Sequence, residues 1–169
     1  MNLFRTKFES LEDLLEEQLS DLYDAEKRLT KAIPKMADAA TSPALASAFR
    51  HHLQETEGHV TRLEQAFKHL DKKPQREACD AMKGLISEGD DIVSAKGSDN
   101  VRDAALIAAA QRVEHYEMAG YGAARTFARQ CGRPEIASLL QQTLDEEGAA
   151  DQRLTQIAEE SVNPAAARV

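Results

Sequence analysis

With 169 residues the chain is long enough to bury most of its apolar surface in one domain without staples, and Ala, Glu, Leu, Lys and Arg dominate over eight Gly and five Pro, the composition of a helical protein. A formal net charge of −8 with no basic tail argues against a nucleic-acid partner, because phosphate binding needs clustered Lys and Arg. Cys79 and Cys131 show neither C-x-x-C nor zinc spacing and read as small buried thiols of a reducing compartment. The start Met1-Asn2-Leu3-Phe4-Arg5-Thr6 lacks an apolar run of signal-peptide length, and no segment approaches the roughly 20 apolar residues of a membrane span. The expectation is a cytoplasmic protein with no membrane partner.

Ser10, followed by Glu12 and Asp13, starts a first helix over about residues 10–40, with Leu11, Leu15, Leu22, Leu29, Ile33 and Met36 recurring at three and four. Pro34 lies inside it and predicts a bend near Lys31. Ser42 as cap and Pro43 at the first position open a second helix, 43–69, which buries Leu45, Phe49, His52, Thr56, Leu63 and Phe67. A weaker pattern between Glu77 and Ser94, interrupted by Gly84 and Gly89, makes residues 71–100 a crossover with one short helix. A third helix follows over 101–130, stopped by Gly132, and a fourth over 134–161, opened by Pro134; the tail from Val162 reads as frayed.

The two helix pairs repeat. At a constant offset of 91, Leu15 falls on Leu106, Leu22 on Val113, Glu26 on Glu117, Met36 on Phe127 and Pro43 on Pro134, and the register continues without a gap through Leu53 on Leu144, Glu55 on Glu146 and Arg62 on Arg153. Two hairpins of one design joined by a crossover make an all-α four-helix bundle.

In the third helix, Glu114 and Glu117 share a face with Leu106, Ala110, Val113, Gly120, Ala124 and Phe127. A carboxylate in such a stripe needs a partner charge, dense hydrogen bonding or a metal ion. Glu26 occupies the same level of the first helix, Glu147 beside Glu146 that of the fourth, and His52, Glu55 and His59 line one face of the second. Four helices thus aim carboxylates and imidazoles at one level, the way a bundle holds two metal ions, with one Glu from each of two helices and a Glu-x-x-His from each of the others. Helix four offers Glu147 with Asp151 at i+4, and helix two offers Glu55 with His59 at i+4 or His52 at i−3. The candidate metal set is Glu26, His52, Glu55, His59, Glu114, Glu117, Glu147 and Asp151, with either histidine as the helix-two ligand. His51, His69 and Glu57 read as solvated helix face, and a tyrosine among Tyr23, Tyr116 and Tyr121 is suited to donate a hydrogen bond beside the site.

The segments Leu22-Tyr23-Asp24-Ala25-Glu26, His52-Leu53-Gln54-Glu55-Thr56, Val113-Glu114-His115-Tyr116-Glu117 and Thr143-Leu144-Asp145-Glu146-Glu147 resemble those of the bacterial YciE/YciF family of ferritin-like stress proteins, over about residues 8–160. The resemblance implies a single ferritin-like domain, up-down-down-up, a homodimer, and a bound pair of metal ions, iron first and manganese second, linked to stress responses. The Glu114-x-x-Glu117 pair followed by Glu147 is also similar, more distantly, to the pattern of rubrerythrins, with Asp151 where they carry His. Two functions follow as expectations. One is a di-metal oxidoreductase of peroxidase-like type, consuming peroxide or oxygen, in which Glu55 and Glu147 bridge, and Glu26, Glu114 and Glu117 hold outer positions. The other is a non-catalytic helical dimer with a degenerate or structural site. Glu114, which falls on Tyr23 in the repeat, is expected to be the adaptable ligand.

Overall fold

The computed structural model describes residues 8–168; the N-terminal stretch read for a signal peptide and Val169 lie outside the described residues. Ser10 Oγ accepts the Asp13 N–H at 3.0 Å while the Asp13 carboxylate accepts the N–H of Ser10 at 3.0 Å and of Glu9 at 2.9 Å. This reciprocal capping box opens α1, Leu11–Ala39, which runs unbroken past Pro34. α2 spans Pro43–His69, α3 Asp80–Val93, α4 Asp99–Gln130 and α5 Pro134–Ile157. Gly132, at φ 69°, closes α4, and Arg133 N–H reaches back to the Ala128 carbonyl at 2.8 Å.

The hairpins α1–α2 and α4–α5 pack as a ring, α1 on α4 and α2 on α5, with α3 laid across α1 and α4. Contacts between residues 21 and 116 and between residues 39 and 102 make α1 antiparallel to α4, so the chain is an all-α, ferritin-like four-helix bundle with a helical crossover. Gly120 lets α4 lie close on α1: a Cβ there would stand 2.9 Å from Leu22 Cδ2.

The apolar core is in two parts. At one end Leu15, Leu19, Leu22, Leu63, Phe67, Tyr121, Ile136 and Leu140 interlock. At the other, Leu29, Ile33, Leu45, Phe49, Met82, Leu106 and Leu154 do the same. Each fully buried Leu stabilises by about 1.5–3 kcal/mol, enough in sum to hold a polar layer between the two parts. The tail was expected to fray from Val162, yet Val162 itself belongs to the second part. Leu154, Ala158 and Val162 follow one another at i+4, and a π-turn, Ala158–Val162, with a short helix α6, Asn163–Ala166, keeps Val162 4% exposed.

Two buried aspartates fix the connections. Asp24 accepts from Arg28 Nε at 2.5 Å, from Arg76 Nε at 2.9 Å and from the Cys79 N–H at 3.0 Å, docking the crossover on α1. Burial would raise its carboxyl, but Arg28, the Cys79 amide and Arg76 together hold it below its ordinary value. Cys79 is buried and caps α3, its Sγ accepting the Met82 N–H at 3.3 Å, whereas Cys131 is only half-buried. Asp103 of α4 accepts the Thr41 N–H at 2.9 Å, the Thr41 hydroxyl at 2.8 Å and the Ser42 N–H at 2.7 Å. Asp103→Ala removes the buried acceptor of three hydrogen bonds, each worth about 1 kcal/mol net, and is expected to cost about 3 kcal/mol in sum. A melt followed by circular dichroism should show Tm lower by about 6–12 °C.

Candidate metal centre

The polar layer holds two groups of side chains. Ligand atoms of Glu26, His59 and Glu147 lie within 4.8 Å of one another, as do those of His52, Glu114, Glu117 and Glu147. Glu147 belongs to both. Glu26, His59, Glu117 and Glu147 are fully buried, Glu114 is 2% exposed and His52 6%. Six of the eight candidates read from the sequence thus converge, and one of the two histidines stands in each group.

Glu55 and Asp151 stand outside both groups. Glu55 sits at the rim of the bundle, its oxygens 3.2 Å from His52 Nδ1 and 3.3 Å from His51 Nε2. Asp151 accepts from Gln111 Nε2 at 3.0 Å and lies 3.3 Å from the ring of the exposed His115, towards the outside of α4. The reason is rotation. The buried stripe of α5 is Leu140, Thr143, Glu147 and Leu154, from which Asp151 turns away, and on α2 the position buried opposite the site is Thr56, which is fully buried. The offset of 91 makes Thr56 the counterpart of Glu147 and His59 that of Ala150. Thr56-x-x-His59 and Glu147-x-x-Ala150 therefore each keep one half of the Glu-x-x-His pattern, and His52 and Glu114 supply the donors that these halves lack. Glu55, expected to bridge with Glu147, lies outside both groups, and Glu147 is the one carboxylate shared by them.

The chemistry of the layer fits cations. Ten buried side-chain nitrogens and oxygens among the described residues make no well-aligned hydrogen bond, and eight of them are here: His52 Nε2, His59 Nδ1, Glu114 Oε2 and both oxygens of Glu147 face one another only as imidazole–carboxylate pairs at 3.0–3.6 Å, and Glu26 Oε2 and both oxygens of Glu117 lack even that. Leaving such atoms unpaired costs roughly 1–3 kcal/mol each, more for charged groups, whereas metal coordination uses their lone pairs. Burial pushes the carboxyls of Glu114, Glu117 and Glu147 up, and for Glu117 the nearby Glu26, Glu147 and Glu114 push further. Burial would lower the His59 ring, but Glu147 and Glu26 beside it hold it at about 11. His52 is likewise raised, by Glu114 and Glu55 against its burial.

Tyr121, fully buried, donates its hydroxyl proton to Glu26 Oε1 at 2.5 Å, the tyrosine hydrogen bond that the sequence left unassigned among three. Sequence spacing missed the roles of Thr56, Arg62 and Glu146. Arg62 binds Glu146 through two nitrogens, at 2.6 and 2.7 Å, and Glu146 Oε2 lies 2.9 Å from His59 Nε2. The signal was present in the repeat, where Glu146 falls on Glu55. A groove of about 790 Å³ between α2 and α5, lined by Phe49, Leu154 and Ile157, reaches the site at His52 and Glu114.

Residues 10–167 match the family described as a domain of unknown function, DUF892. Protein YciF of Escherichia coli (strain K12) is 46% identical over 155 residues, covering 91% of this chain and 93% of YciF. The crystal structure of the E. coli stress protein YciF superposes with a TM-score of 0.89 at 45% identity, covering 92% of this chain and 99% of the other. YcfI from Rhodopseudomonas palustris gives 0.88 at 41%, again with 92% and 99% coverage. A Xanthomonas campestris protein, 21% identical with a TM-score of 0.73 over 94% of this chain and 97% of its own, shares the fold. The family match spans the whole bundle, from the capping box of α1 to the helix that follows the π-turn, and this chain belongs to the DUF892 family.

Proposed function

We propose that this protein binds two metal ions, iron or manganese, in the polar layer, and that the pair reacts with peroxide or oxygen as part of a stress response. The observation that carries this reading is the convergence of four buried carboxylates and two buried imidazoles on one level of the bundle, with eight of their nitrogens and oxygens lacking a well-aligned hydrogen bond. Four carboxylates, Glu26, Glu114, Glu117 and Glu147, balance the charge of two divalent cations, while His52 and His59 add one neutral nitrogen to each group. When bound, such a pair supplies electrons to a small oxidant. The protein's own part is to hold Glu147 between the groups, to orient Glu26 through the Tyr121 hydroxyl, and to keep the layer dry between two apolar clusters. The groove between α2 and α5 is the entry route that ends on unpartnered atoms of the site. The link to stress proteins comes from E. coli YciF, and the homodimer and cytoplasmic setting belong to the same reading.

Metal content per chain, measured on protein purified without added iron and paired with peroxide consumption, tests the proposal. About two equivalents and a turnover abolished by Glu117→Ala are expected. Fewer than about one equivalent, with peroxide consumption indifferent to Glu117→Ala, would overturn it. That outcome favours a non-catalytic structural role, the reading that the split halves Thr56-x-x-His59 and Glu147-x-x-Ala150 support.

A further inference from the structure

The two buried histidines present opposite nitrogens to the layer. His59 turns Nδ1 inward, 3.0 Å from Glu147 Oε1 and 3.2 Å from Glu26 Oε1, and Nε2 outward onto Glu146. His52 turns Nε2 inward, 3.4 Å from Glu114 Oε2 and 3.6 Å from Glu147 Oε2, and Nδ1 outward onto Glu55. The inward nitrogens meet only the carboxylates of the candidate metal groups and make no well-aligned hydrogen bond, whereas the outward ones meet Glu146 and Glu55, which belong to neither group.

The outward partners are a repeat pair, since residue 55 falls on residue 146. Their side chains are 22% and 32% exposed, at the rim rather than in the layer. Both oxygens of each are engaged at the rim. Both oxygens of Glu146 are taken by Arg62, whose Nη1 also donates to Thr143 Oγ1 at 3.2 Å, and the oxygens of Glu55 are taken by His51 and His52. A carboxylate that accepts a ring N–H fixes the ring's orientation and leaves the opposite nitrogen with its lone pair towards a metal. Glu55 does this from the same helix, three residues on, and therefore takes the near nitrogen, Nδ1. Glu146 reaches across from α5 and takes the far one, Nε2.

We propose that Glu55 and Glu146 are not metal ligands but the positioning residues of the two histidines, selecting Nε2 of His52 and Nδ1 of His59 for the site, an inference that rests on the metal reading above. Arg62 anchors Glu146 with a permanent charge. His51, itself exposed, is the weaker anchor of Glu55.

The test is calorimetric titration of the metal-stripped full-length protein with Mn²⁺, on wild type, Glu146→Ala, Glu55→Ala, the two Gln variants and Glu117→Ala. Each rim alanine variant should still bind two ions, one of them about 10–100-fold more weakly. The Gln variants, which keep an acceptor oxygen, should recover part of the loss. In the Co²⁺-loaded protein, proton NMR should show two shifted, exchangeable ring N–H signals, one missing in Glu146→Ala and the other in Glu55→Ala. Wild-type affinity with both signals present in the alanine variants overturns the assignment. So does loss of a whole equivalent of metal of the kind expected for Glu117→Ala, which would make the rim carboxylates ligands. Absence of Mn²⁺ binding in the wild type overturns the metal reading itself, and is recognised without any variant.

Discussion

Glu147→Ala is expected to remove both metal ions at once. Glu147 is the one residue common to the two groups of potential ligands, its buried Oε1 facing His59 at 3.0 Å and its buried Oε2 facing His52 at 3.6 Å. Glu26→Ala strips a donor from the group around His59 alone, and Glu114→Ala from the group around His52 alone. Metal analysis of purified protein should therefore read about two ions per chain for wild type, about one for each of the latter variants, and background for Glu147→Ala. Retention of one ion by Glu147→Ala would show that the groups bind independently and that Glu147 does not bridge. In the variant His59 loses one partner at 3.0 Å but keeps Glu26 at 3.2 Å, and the apolar clusters on either side are untouched, so the fold should be retained at lower Tm, which circular dichroism checks alongside the metal analysis.

The second large effect is on stability against pH. In the metal-free protein, burial raises Glu114, Glu117 and Glu147 above the ordinary carboxyl value of 4.5. His59 is lifted from 6.5 to about 11 by Glu147 and Glu26 against its own burial. All four groups bind more protons folded than unfolded, so stability falls as pH rises. The carboxyl contribution begins to be lost above pH 4.5, and that of His59 is present in full below 6.5 and lost towards 11. Asp24 acts in the opposite sense: lowered from 3.8, it stabilises above that pH, and the gain is lost as pH falls through its folded value. Metal-free protein should thus melt highest near pH 5 and lose at least about 1 kcal/mol, or some 2–4 °C of Tm, per unit up to pH 8. Glu117→Gln, isosteric and uncharged, should flatten the slope. Metal should raise Tm more at pH 8 than at pH 5, because binding displaces the protons. A metal-free Tm that is constant or rises from pH 5 to 8 would contradict the buried-carboxylate account.

Much of the architecture was legible before folding because it is local. Ser10 with Asp13, Ser42 with Pro43 and Gly132 with Pro134 mark helix ends within three or four residues, and period 3.6 marks the buried faces. The interactions that join the helices were not legible. Asp103 meets Thr41 across 62 residues and Asp24 meets Cys79 across 55, and nothing in the local pattern separates either aspartate from a solvated one. The end of the last helix shows the opposite error: Leu154, Ala158 and Val162 carry the spacing of a buried stripe, so the packed part reaches Val162, where the tail was expected to begin.

By itself the sequence determined the bundle, its two-fold repeat and the level at which acids and histidines gather, since each depends on spacing along one helix. What only the tertiary structure decided is the rotation of each helix about its axis. A step of three and a step of four both stay near one face, so spacing alone could not choose Thr56 over Glu55 as the buried position, or turn Asp151 away from the site onto Gln111. Packing chose, and with it placed His52 and His59 in separate groups, made Glu147 common to both, and moved Glu55 and Glu146 to the rim, where each holds a histidine from behind.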